Sequence, residues 1–245
     1  MELTLKYYHY FGDEEKRLGS NLNNPDSWDV LRMKEGSESS YYIPEDRVAW
    51  QKICLDNENL RGKAEGIVTL LREKFNCIHS FGVGAAHLEF LIKREDSSLQ
   101  LRCSDFTPQG IARLKKVFVE ADEISNFDMI DGDWGEIDSK GVCLFYRVDT
   151  VFDDQQWNGV LYKMKRAGIK DALFIPSDIL TLKKILYLQL KYAIFWLLRR
   201  KMTFSGFLRT KPRLVSLLSK FYEIVQVVDV GGSMGFLLKL RVGNK

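Results

Sequence analysis

Histidine and cysteine are scarce in this chain, with three and four residues in 245. His9, His79 and His87 form no spaced pair, so the sequence offers no histidine-based metal site. Cys54, Cys77, Cys103 and Cys143 lie 23, 26 and 40 residues apart, with no Cys-x-x-Cys. That spacing excludes a structural zinc site and a dense disulfide framework, and reduced thiols are expected. No apolar run reaches the roughly 20 residues of a membrane-spanning helix. The nearest, residues 185–198, is broken by Gln189 and Lys191. The opening Met1-Glu-Leu-Thr-Leu-Lys lacks the basic region and apolar core of a signal peptide, so a cytoplasmic protein is expected. The net charge of +3 is too small to name a partner.

What is present is an ordinary globular balance of 45% apolar and 28% charged residues, on a length that suits one large domain or a domain with a cap. The charge is unevenly placed. Residues 179–222 hold ten basic residues and no acidic one, which leaves the remainder net acidic and hints at an anionic partner for one face.

Residues 1–60 read as an aromatic-rich cap, with Tyr7, Tyr8, Tyr10, Phe11, Trp28, Tyr41, Tyr42 and Trp50 between Gly, Asn and Ser punctuation. Beyond them, strands at 76–81, 99–104, 141–146 and 171–176, and a weak one at 127–133, alternate with helical runs at 64–74, 85–93, 108–120 and 157–166. Such alternation predicts a mostly parallel sheet with helices on both faces over 61–245. A helical basic insertion is expected at about 180–211. Strands at 224–230 and 236–242, joined through Gly231-Gly232, predict an antiparallel C-terminal hairpin.

Gly82-Val-Gly84-Ala-Ala86 sits between a predicted strand and a predicted helix, where small residues let the backbone turn tightly and approach a ligand. Asp105 ends the next strand, 21 residues after Gly84, near the offset at which an acid reaches ribose hydroxyls. Together they predict a nucleoside-type cofactor, although Asp105 also reads as a helix cap before Pro108.

On these residues and this order of elements, residues 64–242 resemble the class I S-adenosylmethionine-dependent methyltransferases. The resemblance implies a Rossmann-like seven-stranded sheet with S-adenosylmethionine held by Ser80, Gly82, Gly84 and Ala86. It also places Asp105 and Phe106 at the adenosine, Asp133 near the adenine amino group and Trp134 on its face. Two positions depart from the family pattern: Ser80 stands where an acid is common, with His79 or Glu89 as substitutes, and Ala86 replaces the third glycine.

The resemblance implies a base for an oxygen acceptor near the end of the fourth strand, with Asp149 the first candidate and His87 and His79 behind it, although Asp149 reads equally as a helix cap. Asp153 and Asp154 read as caps or solvated acids. The Asn/Asp-Pro-Pro-aromatic signature of base-modifying enzymes is absent, and a nucleic-acid substrate is not expected. A small-molecule or glycan-type acceptor is expected. The basic helix at 183–201 reads first as a cap or homodimer contact and second as an anionic-membrane or lipid-linked-substrate surface. Two rival readings are a non-catalytic scaffold of the same fold and a nicotinamide-dependent oxidoreductase, the latter disfavoured by the terminal hairpin.

Overall fold

The computed structural model describes residues 1–9, 25–33 and 41–241. Tyr10 and Phe11, and most of the Gly, Asn and Ser punctuation expected of the cap, lie outside the described residues.

Seven strands form the main sheet: β2 (Cys77–Phe81), β3 (Gln100–Asp105), β4 (Glu123–Asn126), β5 (Val142–Tyr146), β6 (Asp171–Ile175), β8 (Tyr222–Val230) and β9 (Ser233–Leu240). Their order is β4-β3-β2-β5-β6-β9-β8, parallel throughout except that β9 runs antiparallel to both its neighbours. The mostly parallel sheet and the C-terminal hairpin are as the sequence predicts. Every residue of β2 is buried, which suits a central parallel strand covered on both faces.

Alternation divides the core in two. On one face Leu144 of β5 and Leu173 and Ile175 of β6 pack against Ile67 and Leu71 of α3 (Glu58–Leu71), Leu91 of α4 (His87–Glu95) and Leu114 of α5 (Pro108–Val117). On the other, Phe145, Phe174 and Phe236 meet Trp157 and Leu161 of α6 (Asp154–Arg166) and Leu214 of α8 (Lys211–Leu218). Successive strand side chains point to opposite faces, so Leu144 and Phe145 serve different cores. Asp153 caps α6 through a reciprocal capping box with Gln156, at 2.8 and 3.0 Å. All four cysteines are buried thiols, and burial pushes each above its ordinary pKa.

Three expectations are corrected. The weak strand lies at Glu123–Asn126, not 127–133, because Phe127 and Met129 turn into the core behind β2. The basic insertion is only half helical. After α7 (Leu182–Leu197) comes a strand, β7 (Thr203–Arg209), which pairs antiparallel with β1 (Thr4–His9). Asp154 is neither cap nor solvated, since it receives Arg209 Nε at 2.6 Å, Arg213 Nε at 2.7 Å and Thr4 Oγ1 at 2.9 Å. The buried Arg209 guanidinium demands such partners, and it also donates to the Phe152 carbonyl at 2.6 Å. This knot fastens the β1–β7 ribbon beside the loop after β5. Among the described residues, no helix is long and apolar enough to cross a membrane.

Candidate functional site

In a parallel sheet a crevice opens beyond the C-terminal strand ends where the chain leaves a central strand toward opposite sides. Here β2 pairs with β3 on one side and β5 on the other. A crevice of about 740 Å³ opens at this point. The 82–85 turn, Phe106 and residues 127–131 form one wall. Tyr7 and His9 of β1, Ser205 and Leu208 of β7, and Lys184 form the other.

Gly82, Gly84 and Ala86 all have left-handed backbones, with φ of 67°, 60° and 56°. Glycine adopts this region without strain, whereas alanine costs about 1 kcal/mol. The Gly82 and Val83 amides donate to the Ser104 carbonyl at 2.8 and 3.2 Å, tying the turn to β3. Trp50 Nε1 holds the Ala85 carbonyl at 3.0 Å. A Cβ on Gly84 would meet nothing nearer than Arg32 Nη2 at 3.9 Å, so the main chain here faces open crevice.

Asp105 ends β3 at the crevice with its carboxylate saturated. Oδ1 accepts Arg32 Nη1 at 2.7 Å, the Thr107 amide at 3.0 Å and Thr107 Oγ1 at 2.9 Å. Oδ2 accepts Arg32 Nη2 and the Gly84 amide, both at 3.0 Å. Arg32 comes from α1 (Pro25–Met33), which is anchored a second time: Asp29 Oδ1 takes the Gly110 amide at 3.1 Å. Gly110 is the third residue of α5, whose own Thr107 makes no side-chain cap bond, so α1 caps α5 from outside and at its positive end. The carboxylate that the sequence sets beside the sugar is therefore fully engaged. In this state a guanidinium occupies it.

Ser80 donates to Glu89 Oε1 at 2.7 Å. Glu89 is buried on α4 yet lines the crevice, and burial lifts its carboxyl to about 7, against the bond from Ser80. Of the two substitutes for an acid at position 80, the geometry brings Glu89 to that place. His79 instead lies 3.5 Å from Cys77 Sγ, and burial lowers its pKa.

The other expected residues divide between the crevice and the core. Phe106 lines the crevice. Asp133 caps a short 3-10 turn through the Gly135 amide at 2.8 Å, outside the crevice wall. Trp134 is buried against Phe81 and Phe145, with Nε1 on the Met129 carbonyl at 3.0 Å, so it presents no face to a ligand. Asp128 and Met129 occupy the wall instead. Asp149 turns away to the Ser177 amide at 2.6 Å, and burial raises its carboxyl pKa. His87 is buried outside the crevice, and desolvation takes its imidazole down to about 4, so it is neutral.

The crevice gains residues that the sequence did not single out: His9, whose Nδ1 lies 3.2 Å from Tyr7 Oη, together with Arg32, Asp128 and Arg147. Arg147 carries a left-handed backbone at φ 59°, uncommon for a side chain of its size. Among the described residues, no group of three or more His, Cys, Asp or Glu could hold a metal ion.

No family model matches the sequence, and no curated protein is recognisably similar to it. Solved structures are similar at the level of the fold. Human N-acetylserotonin methyltransferase, determined with S-adenosylmethionine, superposes with a TM-score of 0.57 at 16% identity, over 79% of this chain and 55% of that one. The pyocyanin biosynthetic protein PhzM gives 0.56 at 17% identity, over 80% and 62%. A protein from Rhodobacter sphaeroides described as a putative zinc-dependent alcohol dehydrogenase gives 0.53 at 12%, over 76% and 99%. The chain thus spans less than two thirds of the length of the first two. With the strand order, the reversed β9 and the glycine turn, these likenesses show that the chain has the fold of the class I S-adenosylmethionine-dependent methyltransferases.

Proposed function

We propose that this protein is a cytoplasmic methyltransferase that moves the methyl group of S-adenosylmethionine to oxygen on a small-molecule or glycan-type acceptor. The observation that carries the reading is the 82–86 turn, whose half-buried main chain at Gly84 borders a crevice large enough for the cofactor. The bound sulfonium supplies an electrophilic methyl and loses its positive charge on transfer. The protein's own work is positioning and exclusion of water.

Gly82, Gly84 and Ala86 shape the cradle, and Ser80 with Glu89 faces the amino-acid end. Phe106 and the 127–131 wall flank the base, where Asp128 stands in the place expected of Asp133. Asp105 serves the ribose once Arg32 lets go. Among the described residues, His9 is the one histidine lining the crevice, and it takes the acceptor proton in place of Asp149 and His87. Residues 1–60 act as a cap, and the β1–β7 ribbon with α7 builds the acceptor side. Contacts of α7 with a second copy or with an anionic membrane complete the expected partners.

A second reading, a non-catalytic scaffold, is favoured by the saturated Asp105. Thermal shift separates the two. At about a hundred times Kd, a ligand of the folded state adds about 2.7 kcal/mol, or roughly 5–10 °C for a chain this size. S-adenosylmethionine and S-adenosylhomocysteine are expected to give that rise, and NAD none. A flat response to all three overturns the enzyme. Gly84→Ala tests the cradle. Its left-handed backbone costs about 1 kcal/mol of stability, while a methyl group in the crevice lowers S-adenosylhomocysteine affinity more than tenfold by calorimetry.

A further inference from the structure

Helix α7 is apolar on the wrong side. Its buried residues, Ile185 and Leu188, face the β1–β7 ribbon through Leu208 and Leu5. At about 100° per residue, Leu182, Leu186, Leu190, Ile194, Leu197 and Tyr187 fall within an arc of about 140° on the opposite side. There they are 45–71% exposed. Trp196, 77% exposed, lies about 40° outside that arc, nearer the angle of Ile185. A helix apolar on both sides is the signature of one that is covered twice.

Its charges say by what. Lys183 lies within the exposed arc, Lys184 and Lys191 along one border, and Arg199, Arg200 and Lys201 at the exit, where Arg199 takes a left-handed backbone and ends the helix. Asp178, just outside the helix, pairs with Lys184. From residue 179 to residue 222 there is no acid. A second copy packed on this face would set cations against cations in either orientation. Parallel packing aligns each cluster with itself, and antiparallel packing places Lys183 opposite Arg199–Lys201. An anionic bilayer supplies what a second copy lacks, with phosphates for the cations and acyl chains for the leucines. Sixteen residues span about 24 Å, too short to cross a hydrocarbon core of about 30 Å but suited to lying flat in its surface. Tyr187, at the edge of the exposed arc, is of the aromatic type enriched at that depth.

We infer that α7 is a membrane-docking helix: its leucine face inserts into the headgroup boundary of an anionic bilayer while its basic ends hold lipid phosphates. The inference stands whether or not the crevice transfers methyl groups. Lys184, in the first turn of α7, also lines the crevice, so docking sets the crevice rim beside the lipid. An amphiphilic acceptor carried by the bilayer could then reach it.

The test is co-sedimentation of the full chain with phosphatidylcholine vesicles, with and without about one third phosphatidylserine, alongside light scattering of the protein alone. The protein is expected to pellet with the phosphatidylserine vesicles at least tenfold more tightly than with neutral ones, and binding should weaken as salt is raised. The double substitution L190E/I194E, at exposed positions, is expected to abolish pelleting while leaving Tm and any S-adenosylhomocysteine response unchanged. Arg200→Glu with Lys201→Glu should remove the preference for the anionic lipid. The inference is overturned if the native chain stays in the supernatant, binds neutral and anionic vesicles alike, or forms a dimer that L190E/I194E dissolves.

Discussion

Arg32→Met is expected to do two opposite things at once: lower stability by about 3–5 kcal/mol and tighten S-adenosylhomocysteine binding at least tenfold. The loss of stability follows from burial. Arg32 and Asp105 have side chains 6% and 2% exposed, and removing the cation leaves a carboxylate without its countercharge. The gain in affinity follows from the same bond. A ribose diol must donate to the carboxylate oxygens, and two of the five donors now satisfying them belong to Arg32. Any ligand using Asp105 must first displace that guanidinium, together with the Asp29 cap on α5 that helps to hold α1. The Arg32→Met/Asp105→Asn pair recovers part of the stability, because no buried charge remains, but none of the affinity. Urea denaturation and titration calorimetry read both effects. Unchanged or weaker binding by Arg32→Met would falsify the sugar role of Asp105 and favour the scaffold.

Glu89→Gln carries the second large effect, and its sign depends on pH. The carboxyl titrates at about 7 in the folded chain and at an ordinary 4.5 when unfolded. Between those values, raising the pH strips a proton from the unfolded chain but not from the folded one, so the native protein loses stability across the window and levels off above it. The full span is on the order of 3 kcal/mol. The amide introduced by Glu89→Gln keeps an oxygen for the Ser80 hydroxyl but does not titrate. The variant should therefore be close to the native protein in stability at pH 4.5 and more stable by that span at pH 8. It should also bind S-adenosylhomocysteine at least tenfold more weakly at pH 8, where the native carboxylate would meet the ligand's ammonium group. If the native protein and the Glu89→Gln variant share one stability profile from pH 4.5 to 8, Glu89 is not the titrating group.

The parallel sheet was readable because its strands are buried on both faces, so 141–146 and 171–176 stand out as short continuous apolar runs. The glycine turn was readable because left-handed backbone selects small residues locally. β4 was displaced in the reading because an edge strand of Glu-Ile-Ser-Asn has almost no pattern, while Phe127 and Met129 beside it are apolar for a different reason. The β1–β7 ribbon joins residues some 200 positions apart, and nothing local in Thr4–His9 points to its partner. Arg32 is hidden in the same way. It reaches Asp105 across 73 residues, and the only local trace is Asp29 and Arg32 on one face of a short helix. Glu89 was nearer to legible, since a missing acid at position 80 prompts a search for another within one helical turn or two. Trp134 shows the converse error. Aromatic rings beside a predicted ligand site are as often wall as contact, and this one is sealed behind Phe81.

The four thiols give the molecule an internal clock. Cys54 and Cys77 sit on α2 (Arg47–Leu55) and β2, and Cys103 and Cys143 on β3 and β5, all enclosed and all held protonated by desolvation. An alkylating reagent can reach them only while the surrounding layer is parted. The pace of labelling therefore counts how often that layer opens. A ligand that braces α1 or the 82–86 turn should slow it without touching any sulfur.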